Sequence, residues 1–245
     1  MFFCKRTVRF IKDIYCYLIL SRLAGIKLKH LIVKCDGDVE CLVKLPFIFE
    51  YKHPLFTPIV IKPVQVYEEI LYFSNIANTI NPKRVLEIGT ASGGTLFLFT
   101  IVADPEATII SIDLPSGPFG GGYPRWRIPI YKSFARENQR IFLIRANSHN
   151  PETLKTVKRI LRDEKIDLLF IDGDHTYDGV KKDFEMYNSL VRKGGIIAFH
   201  DIVPGPLENV GGVPRFWCEV KDNYMHLEIV RNWEQGGYGI GVVYV

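Results

Sequence analysis

The pattern of apolar and polar positions changes at Val64. Residues 35–63 have no regular period and are interrupted by four prolines, which is typical of a connector or a lid. Over residues 64–80, apolar side chains recur at helical spacing, and an Asn-Pro pair then ends the predicted helix. The sequence therefore predicts an N-terminal extension and connector over residues 1–63 and a domain over residues 64–245.

Within the domain, continuous apolar runs alternate with stretches of helical period. The runs predict strands at 84–88, 108–112, 141–145, 166–171, 195–199, 227–230 and 239–245. Helical periodicity falls near 94–103, 128–138, 151–163, 177–192 and 214–222, between the first six strands. Apolar strands joined by helices predict an α/β fold with a doubly wound, mostly parallel sheet covered on both faces. The short turn before the final strand predicts a terminal hairpin whose last strand is antiparallel.

Charge is distributed unevenly between the two predicted parts. Residues 1–34 contain eight Lys or Arg and one acid, and so carry a charge of +7. The rest of the chain has 23 basic and 26 acidic residues and carries −3. Since the basic character belongs to the N-terminal segment, we do not expect the domain to bind nucleic acid.

An apolar run over residues 14–20 lies within this basic segment. It is far shorter than the roughly 20 residues that a membrane-spanning helix needs, and no clean signal-cleavage site follows it. Two interpretations stay open for residues 1–34. The segment is either a helix that packs on the domain or on a second subunit of a homo-oligomer, or a basic helix in peripheral contact with an anionic membrane surface.

The cysteine pattern indicates the redox state of the cellular compartment in which the protein is located. The five cysteines are an odd number, with no C-x-x-C pair and no metal-type spacing. This pattern predicts reduced thiols and a cytoplasmic location.

The most informative segment is the turn that follows the first predicted strand of the domain. Small residues are needed where a ligand lies against the backbone, and the N–H groups of the following helix then face that ligand. Glu87 stands two residues before the first glycine, where a core strand usually carries an apolar residue. Asp113 closes the next strand, 24 residues after Gly89, where a carboxylate can bind both hydroxyls of a ribose. These features predict a nucleotide-type cofactor site; a plain turn with two surface acids is the alternative.

The run Glu87-Ile-Gly89-Thr90-Ala91-Ser-Gly93-Gly94 resembles motif I of class I S-adenosylmethionine (SAM)-dependent methyltransferases, commonly E/D-x-G-x-G-x-G. Asp113 matches the ribose-binding acid of that family, and the resemblance covers about residues 64–245. It implies a seven-stranded Rossmann-like sheet with an antiparallel last strand, and SAM as the cofactor. The residues implied in the cofactor site are Glu87, Gly89, Thr90, Ala91, Gly93, Asp113 and Asp172.

A different cofactor stays open as an alternative. Gly89, Ala91 and Gly94 also fit the G-x-G-x-x-G pattern of an NAD-binding oxidoreductase loosely, although Glu87 disfavours it.

The turn after the third predicted strand meets the adenine in this family. Asn147 and Ser148 stand there, and the resemblance implies that they contact the cofactor. Equally, Ser148 and Asn150 fit the N-cap of the helix predicted over 151–163.

The fourth predicted strand ends abruptly in two acids and a histidine, Asp172, Asp174 and His175. Parallel α/β sheets bind ligands beyond the carboxyl ends of their central strands. This segment, with the later His200-Asp201 pair, resembles a small-molecule methyltransferase branch that has the signature I-D-G-D-H-x-Y. Its relatives include macrolide and sugar O-methyltransferases and proteins labelled cephalosporin hydroxylase. The resemblance implies a hydroxyl acceptor on a small molecule or a glycan, with a hydroxylase-like enzyme on the same fold as the alternative.

Two roles follow for the residues at these strand ends. His175, with an ordinary pKa near 6.5, suits a general base at neutral pH, and Asp172 stands beside it in the predicted catalytic site. In some relatives, acids at the ends of the fourth and fifth strands hold Mg²⁺, and Asp172 and Asp201 fall on those positions. His200 replaces the acid of those relatives, and no 2-His-1-carboxylate spacing is visible. Alternatively, Asp172, Asp174 and His175 cap the next helix.

Two loops could enclose the acceptor. The segment 114–127 combines four glycines with aromatic and arginine side chains, including Phe119, Arg125 and Arg127. It is expected to form a lid over a polar, anionic or sugar-like acceptor. The segment 204–217 contains Phe216 and Trp217. Each segment can instead be a surface loop whose aromatic side chains lie in the core.

Overall fold

The computed structural model describes residue 11, residues 14–117, residue 119 and residues 121–245. Part of the predicted basic segment, one predicted free cysteine and one glycine of the predicted lid lie outside these residues; they are Lys5, Arg6, Arg9, Lys12, Cys4 and Gly120. The basic segment is therefore compared with the structure only from residue 14 onward.

Residues before the domain form helices and a hairpin. A π-helical turn, Cys16–Leu20, leads into α1 (Ser21–Lys34), which is followed by α2 (Val39–Ile48). Strands β1 (Glu50–His53) and β2 (Phe56–Val60) then pair antiparallel in a small separate sheet. The prediction of an irregular connector over 35–63 was therefore wrong for much of its length. The sequence pattern did not predict α2, because Pro46 lies inside this helix and proline usually interrupts a helix.

A disulfide joins Cys35, which follows α1, to Cys41 in α2, with 5.5 Å between their Cα atoms. The prediction of reduced thiols was wrong for this pair, because the turn between the two helices brings the cysteines together. Cys218 is a free cysteine on the surface.

The domain follows the predicted alternation. Its helices are α3 (Tyr67–Ile80), α4 (Gly94–Val102), α5 (Ile128–Lys132), α6 (Pro151–Leu161), α7 (Tyr177–Tyr187), α8 (Leu207–Val210) and α9 (Val213–Lys221). Its strands are β3 (Arg84–Ile88), β4 (Thr108–Asp113), β5 (Arg140–Arg145), β6 (Ile166–Ile171), β7 (Val191–His200), β8 (Met225–Ile229) and β9 (Ile240–Tyr244).

The large sheet has the strand order β5-β4-β3-β6-β7-β9-β8. Strand β9 is antiparallel to both of its neighbours, and the remaining pairs are parallel. The predicted fold class, a doubly wound sheet with an antiparallel last strand, is confirmed. The strand order reverses between β3 and β6, which opens a crevice at their carboxyl ends, where such sheets bind ligands.

Apolar side chains fill both faces of the sheet. Along β6, Leu168 and Phe170 belong to one core, and Leu169 and Ile171 belong to the other, because successive side chains of a strand point to opposite faces. The first core also includes buried side chains of α1, α2, α3 and α4, among them Leu28. The N-terminal helices therefore share a core with the domain, and the division of the chain at residue 64 stays a prediction.

One test of membrane insertion concerns helix length. Among the described residues, no helix is both long enough and apolar enough to span a bilayer.

Candidate active site

The glycine-rich turn connects β3 to α4 at the crevice. Gly89 has φ +101°, and a Cβ atom there would lie 1.8 Å from the carbonyl oxygen of Asp172. A side chain at this position is therefore excluded by the close approach of the β3 and β6 ends. Gly93, with φ +87°, precedes α4, and a Cβ there would meet the ring of Tyr131. Local crowding explains why this turn is built from small residues.

Glu87 lies completely buried behind the turn. Its two oxygens accept hydrogen bonds from the hydroxyls of Thr95 and Ser111, and the Ser111 hydroxyl is also hydrogen-bonded to that of Thr90. Burial raises the pKa of Glu87 to about 8. Glu87 and Gly93, which the sequence predicts as cofactor-binding residues, do not line the cavity in front of the turn. They shape the turn from behind.

Asp113 ties the turn to the next loop. Its Oδ2 accepts from the backbone N–H groups of Thr90 (3.1 Å) and Ala91 (2.7 Å), and its Oδ1 accepts from the N–H of Gly122 (2.6 Å). Burial raises the pKa of Asp113, while these hydrogen bonds act in the opposite direction. Oδ1 has a single hydrogen-bond donor among the described residues, so it retains capacity to accept another.

A cavity opens in front of this turn. Small residues form much of its wall, which suits a flat ligand that approaches the backbone closely. We call this space the cofactor cavity. Its wall includes Gly89, Ala91, Asp113, Gly117, Gly121, Ala146, Asn147, Ser148, His149 and Asp172.

The turn after β5 supplies the far end of the cofactor cavity. The cap of α6 is Asn150, which accepts from the N–H of Glu152 (2.9 Å). The N-cap alternative is therefore correct for Asn150 and wrong for Ser148. Asn147 and Ser148 line the cavity wall.

His149, which sequence reasoning missed, stands on the same wall. Its Nε2 donates to the carbonyl of Gly179 (3.2 Å) and lies 3.3 Å from Oδ1 of Asp183. Asp183 is fully buried on α7 and has no hydrogen bond to another described residue. The Asp183 carboxylate raises the pKa of His149, because a buried anion favours a cation beside it.

Beyond the ends of β6 and β7, two carboxylates and two imidazoles form a cluster. Oδ1 of Asp172 lies 3.3 Å from Nε2 of His175 and 3.2 Å from Nδ1 of His200. Oδ2 of Asp201 lies 3.4 Å from Nδ1 of each histidine. The amide of Gln65 donates to Oδ2 of Asp172 (2.7 Å). We call these residues the His–Asp cluster.

The charges of the cluster are mutually dependent. Burial alone would raise the pKa of Asp172, but His200 and His175 together lower it well below its usual range. Burial would lower the pKa of His175, but Asp172, the carbonyl of Asn209 and Asp201 raise it to about 9. The same two carboxylates raise the pKa of His200 well above its usual value. Both imidazoles are therefore held mainly as cations at neutral pH.

The structure revises three expectations about this cluster. His200 does not simply replace an acid, since it contacts both Asp172 and Asp201. Two imidazoles and a carboxylate do meet here, although no such spacing was visible in the sequence. The helix-capping alternative was wrong, because the N-cap of α7 is Thr176, whose hydroxyl accepts from the N–H of Gly179. Asp174 accepts from the N–H and hydroxyl of Thr176, just before the helix.

A second space, the acceptor cavity, adjoins the cluster. Its lining residues include His175, Asp201, Phe119, Asn209, Glu208 and Tyr238. The ring of Phe119 stacks on His175 with 4.8 Å between centroids. A narrower space lined by Gln65, Thr90, Asp172 and His200 connects the two cavities. His175 thus faces the junction between them.

The predicted lid is only partly matched. Phe119 does cover the cluster, but Arg127 donates to the carbonyl of Val60 (2.8 Å), and Arg125 is absent from the described wall of the acceptor cavity. In the second predicted lid, Phe216 and Trp217 are buried in the core beneath the sheet. Their helical spacing in α9 gives them an inward face, so the core alternative was correct for this segment.

The cluster also offers ligands for a metal ion. One atom each from Asp172, His175 and Asp201 lies within 4.8 Å of the other two. Asp172 and Asp201 are the residues that the sequence predicts as metal ligands, and His175 joins them.

Comparison with known proteins indicates a methyltransferase domain. Residues 86–202 match a family model described as a methyltransferase domain. Over 140 residues the chain is 32% identical to an uncharacterised protein of Acanthamoeba polyphaga mimivirus, covering 52% of this chain and 56% of that protein. It is 27% identical to Tapetum-specific methyltransferase 1 of Arabidopsis thaliana, covering 54% of this chain and 52% of that protein. The matches cover between 16% and 56% of the curated relatives' own lengths.

The fold is also similar to that of the O-methyltransferase TomG from Streptomyces achromogenes, whose crystal structure contains SAM. The TM-score is 0.51 at 19% identity, over 71% of this chain and 78% of that one. This likeness establishes the fold. The family match confirms the resemblance to methyltransferases over residues 86–202.

Proposed function

We propose that the protein is a SAM-dependent methyltransferase that transfers a methyl group to a hydroxyl of a small molecule or a glycan. One observation carries the proposal. In a chain that matches a methyltransferase domain, a cofactor cavity leads from the glycine-rich turn directly to an imidazole–carboxylate cluster that faces a second cavity. The location of the cavities, at the switch point of the sheet, is where this class of fold binds its ligands.

The residues around the cofactor cavity fit SAM. When bound, SAM supplies a methyl group on a positively charged sulfur. Gly89 and Ala91 let the ligand approach the backbone, and Oδ1 of Asp113 can accept a ribose hydroxyl beside its bond to Gly122. Asn147 and Ser148 offer polar groups to the adenine end. Glu87 acts indirectly, because it orients Thr95 and Ser111 behind the turn.

His175 is the proposed general base. Its Nδ1–H donates to the carbonyl of Asn209 (2.5 Å), which leaves Nε2 to take the acceptor proton. Asp172, 3.3 Å from Nε2, then stabilises the resulting cation. Because the pKa of His175 is raised to about 9, its neutral form is a minor species at pH 7. Turnover by this route is expected to increase with pH.

A divalent cation is a second way to activate the hydroxyl. Asp172, His175 and Asp201 would hold it, and the ion would lower the pKa of an acceptor oxygen. Their geometry fits a metal ion, but a nitrogen donor suits a transition metal better than Mg²⁺, which prefers oxygen ligands. Titrating Mg²⁺ and Mn²⁺ while thermal unfolding is monitored tests the site independently of turnover. Stabilisation by Mn²⁺ that is lost in Asp201→Ala would support it.

The wall of the acceptor cavity favours an uncharged acceptor. Its described residues include Asp201 and Glu208 and no lysine or arginine. Phe119 and Tyr238 offer aromatic faces beside these acids. A hydroxyl-rich molecule fits this wall better than the anionic acceptor that the arginines of the predicted lid suggested, because an anion would meet no cation outside the His–Asp cluster.

A hydroxylase-like oxidation is the second candidate, favoured by one observation. His175 and His200 both contact Asp172, which is the ligand combination of many non-haem iron sites. Metal analysis of the purified protein distinguishes the two functions. Stoichiometric iron in a protein that does not bind SAM would favour oxidation.

Calorimetry with SAM, S-adenosylhomocysteine and NAD tests the main proposal directly. We expect both sulfur compounds to bind and NAD to bind weakly or not at all. Tight binding of NAD with no response to SAM would overturn the methyltransferase assignment in favour of an oxidoreductase.

A further inference from the structure

One face of helix α1 packs against the rest of the protein. Ala24 and Leu28 are buried there, as is Leu20 in the preceding π-helical turn. Ser21 accepts a hydrogen bond from the N–H of Ile130 in α5 (3.0 Å), and a Cβ at Gly25 would lie 2.5 Å from the hydroxyl of Ser133. Such close packing leaves the helix little freedom to rotate, so its other face is held outward.

The outward face is unusually apolar. Ile26 is 65% exposed and Val33 is 76% exposed. Single exposed apolar side chains are ordinary, but a group along one helix indicates an interaction surface. The group consists of Ile14, Leu18, Ile19, Leu23, Ile26 and Val33. We call it, together with the cations between its members, the N-terminal face.

The cations of this face are not neutralised by neighbours. Arg22, Lys27, Lys29 and Lys34 lie within residues 14–35, and that stretch has no acidic residue. Among the described residues, none of these four side chains is in an ion pair. The face therefore combines exposed apolar side chains with a net positive charge.

A groove adjoins the N-terminal face. Tyr17 and Leu18 form one wall, and Trp126, Arg125 and Arg145 lie on the other. Arg125 is exposed, and Arg145 is half-buried, with its Nη2 donating to the carbonyl of Tyr123 (2.8 Å). A groove that presents cations beside apolar side chains matches the two parts of an anionic lipid, its phosphate and its acyl chain.

We propose that the N-terminal face and this groove dock the protein on an anionic lipid surface. Basic residues close to such a surface and apolar side chains inserted at its boundary both favour binding. A second copy of the chain is a poorer occupant. In a twofold interface the same patch occurs on both subunits, so the unneutralised cations of Arg22, Lys29 and Lys34 would face one another.

Docking in this way has a consequence for the active site. The segment from Pro115 to Pro124 begins and ends in the groove, and it includes Phe119, which stacks on His175. One loop therefore contacts both the docking groove and the acceptor cavity. The inference does not depend on the methyltransferase proposal, because it rests on a different surface.

Co-sedimentation of the full chain with lipid vesicles tests the proposal. We expect binding to vesicles of phosphatidylcholine with phosphatidylserine, and at least about tenfold weaker binding to phosphatidylcholine alone, since each basic residue near an anionic surface contributes about 1 kcal/mol. Binding should weaken in high salt, because screening shortens the range of the charges. Equal binding to both vesicles, or binding to neither, would overturn the proposal.

Paired variants separate the two components of the face. Arg22→Glu with Lys29→Glu should abolish the preference for anionic lipid, and Ile26→Ser with Val33→Ser should lower binding to both vesicles. The matched control is Lys158→Glu with Arg159→Glu on α6, which changes the charge equally and should leave binding within about twofold.

Unchanged thermal unfolding would show that all variants are folded. An equal loss of binding in the control would contradict the assignment to the N-terminal face. Light scattering that shows a dimer, dissociated by Ile26→Ser with Val33→Ser, would overturn the proposal in favour of a second copy.

Discussion

Two pairs of carboxylates stand at opposite ends of the crevice, and their partners are of different kinds. Glu87 and Asp113, at the cofactor end, accept hydrogen bonds from hydroxyls and backbone N–H groups, and burial raises the pKa of each. Asp172 and Asp201, at the other end, face two imidazoles. The pKa of Asp172 is lowered there.

The two pairs of carboxylates differ in what their hydrogen-bonding partners supply. Neutral donors fix the position of a carboxylate without supplying a counter-charge, which suits a residue that holds backbone or ligand in place. Imidazoles supply both a charge and an exchangeable proton. We therefore propose that the first pair positions and binds, and that the second pair supports proton transfer by His175. The predictions below test that division.

The largest effect is expected from His175→Ala. Turnover should fall by a factor of about 10² to 10⁴, the usual contribution of a general base, while SAM affinity stays within about twofold. Release of S-adenosylhomocysteine with an acceptor found by screening gives the turnover, and calorimetry gives the affinity. His226→Ala, which changes an exposed histidine on β8, is the control. Turnover equal to that of the unmodified protein would remove His175 from the mechanism.

Asp113→Ala should lower the affinity for SAM and leave the methyl-transfer step unchanged. Three backbone N–H groups lose their acceptor, and hydrogen bonds to a charged group contribute about 1.5–3 kcal/mol each. SAM affinity is expected to fall by about 10- to 100-fold, measured by calorimetry. Asp222→Ala, at an exposed position after α9, is the matched control. If SAM bound to Asp113→Ala as tightly as to the unmodified protein, the ribose assignment would be wrong.

The third test uses the pH dependence of stability. Glu87 has a pKa of about 8 in the folded protein, against an ordinary value of 4.5, so the folded state retains a proton that the unfolded state releases. Its contribution to stability therefore declines as pH rises from about 4.5 to about 8. Asp172, whose pKa is lowered, behaves oppositely, and its contribution is lost on acidification below its ordinary value of 3.8.

Glu87→Gln imitates the protonated form and should lack this decline. Between pH 5 and pH 8 the Tm of the unmodified protein is expected to fall relative to that of Glu87→Gln by about 2–4 °C or more, since 1 kcal/mol shifts Tm by that amount in a chain of this size. The control is Glu106→Gln, at an exposed position before β4. A parallel pH dependence of Tm in Glu87→Gln and the unmodified protein would contradict the raised pKa.

The smallest effect is expected at His149. His149→Ala should weaken SAM binding about two- to tenfold, the net contribution of one hydrogen bond. It should also lower Tm, because Asp183 is left buried without its counter-charge. Adding Asp183→Asn should restore Tm but not SAM affinity. Recovery of both together would show that His149 acts only through stability.

The sequence predicted most of the domain fold because its signals are local. Apolar runs of four to seven residues, separated by helical periods, predict strands that alternate with helices. The terminal hairpin follows from a short turn. The hairpin Glu50–Val60 and helix α2 escaped prediction, because their strands are short and Pro46 interrupts the helical pattern. The Cys35–Cys41 bond was not predicted either, since it depends on the turn between α1 and the unrecognised helix α2.

Part of the candidate site was also predictable, because some of its residues are close together in the sequence. Asp172 and His175 are three residues apart at a strand end, so the chain itself indicated that they meet. Gln65 and His200 reach Asp172 from 107 and 28 residues away in the chain, and no local pattern reports such a contact. The arginines of segment 114–127 were placed over the acceptor from their proximity in sequence alone, whereas Arg127 bonds to the hairpin residue Val60.

By itself, the sequence determined the alternation of strands and helices, the small residues of the turn from Gly89 to Gly93, and the acids at the strand ends. These follow from backbone sterics and side-chain period, which act over a few residues. Only the tertiary structure decided the charge of each acid. Burial beside hydroxyls raised the pKa of Glu87, and two imidazoles lowered that of Asp172, because a pKa depends on neighbours that folding brings together.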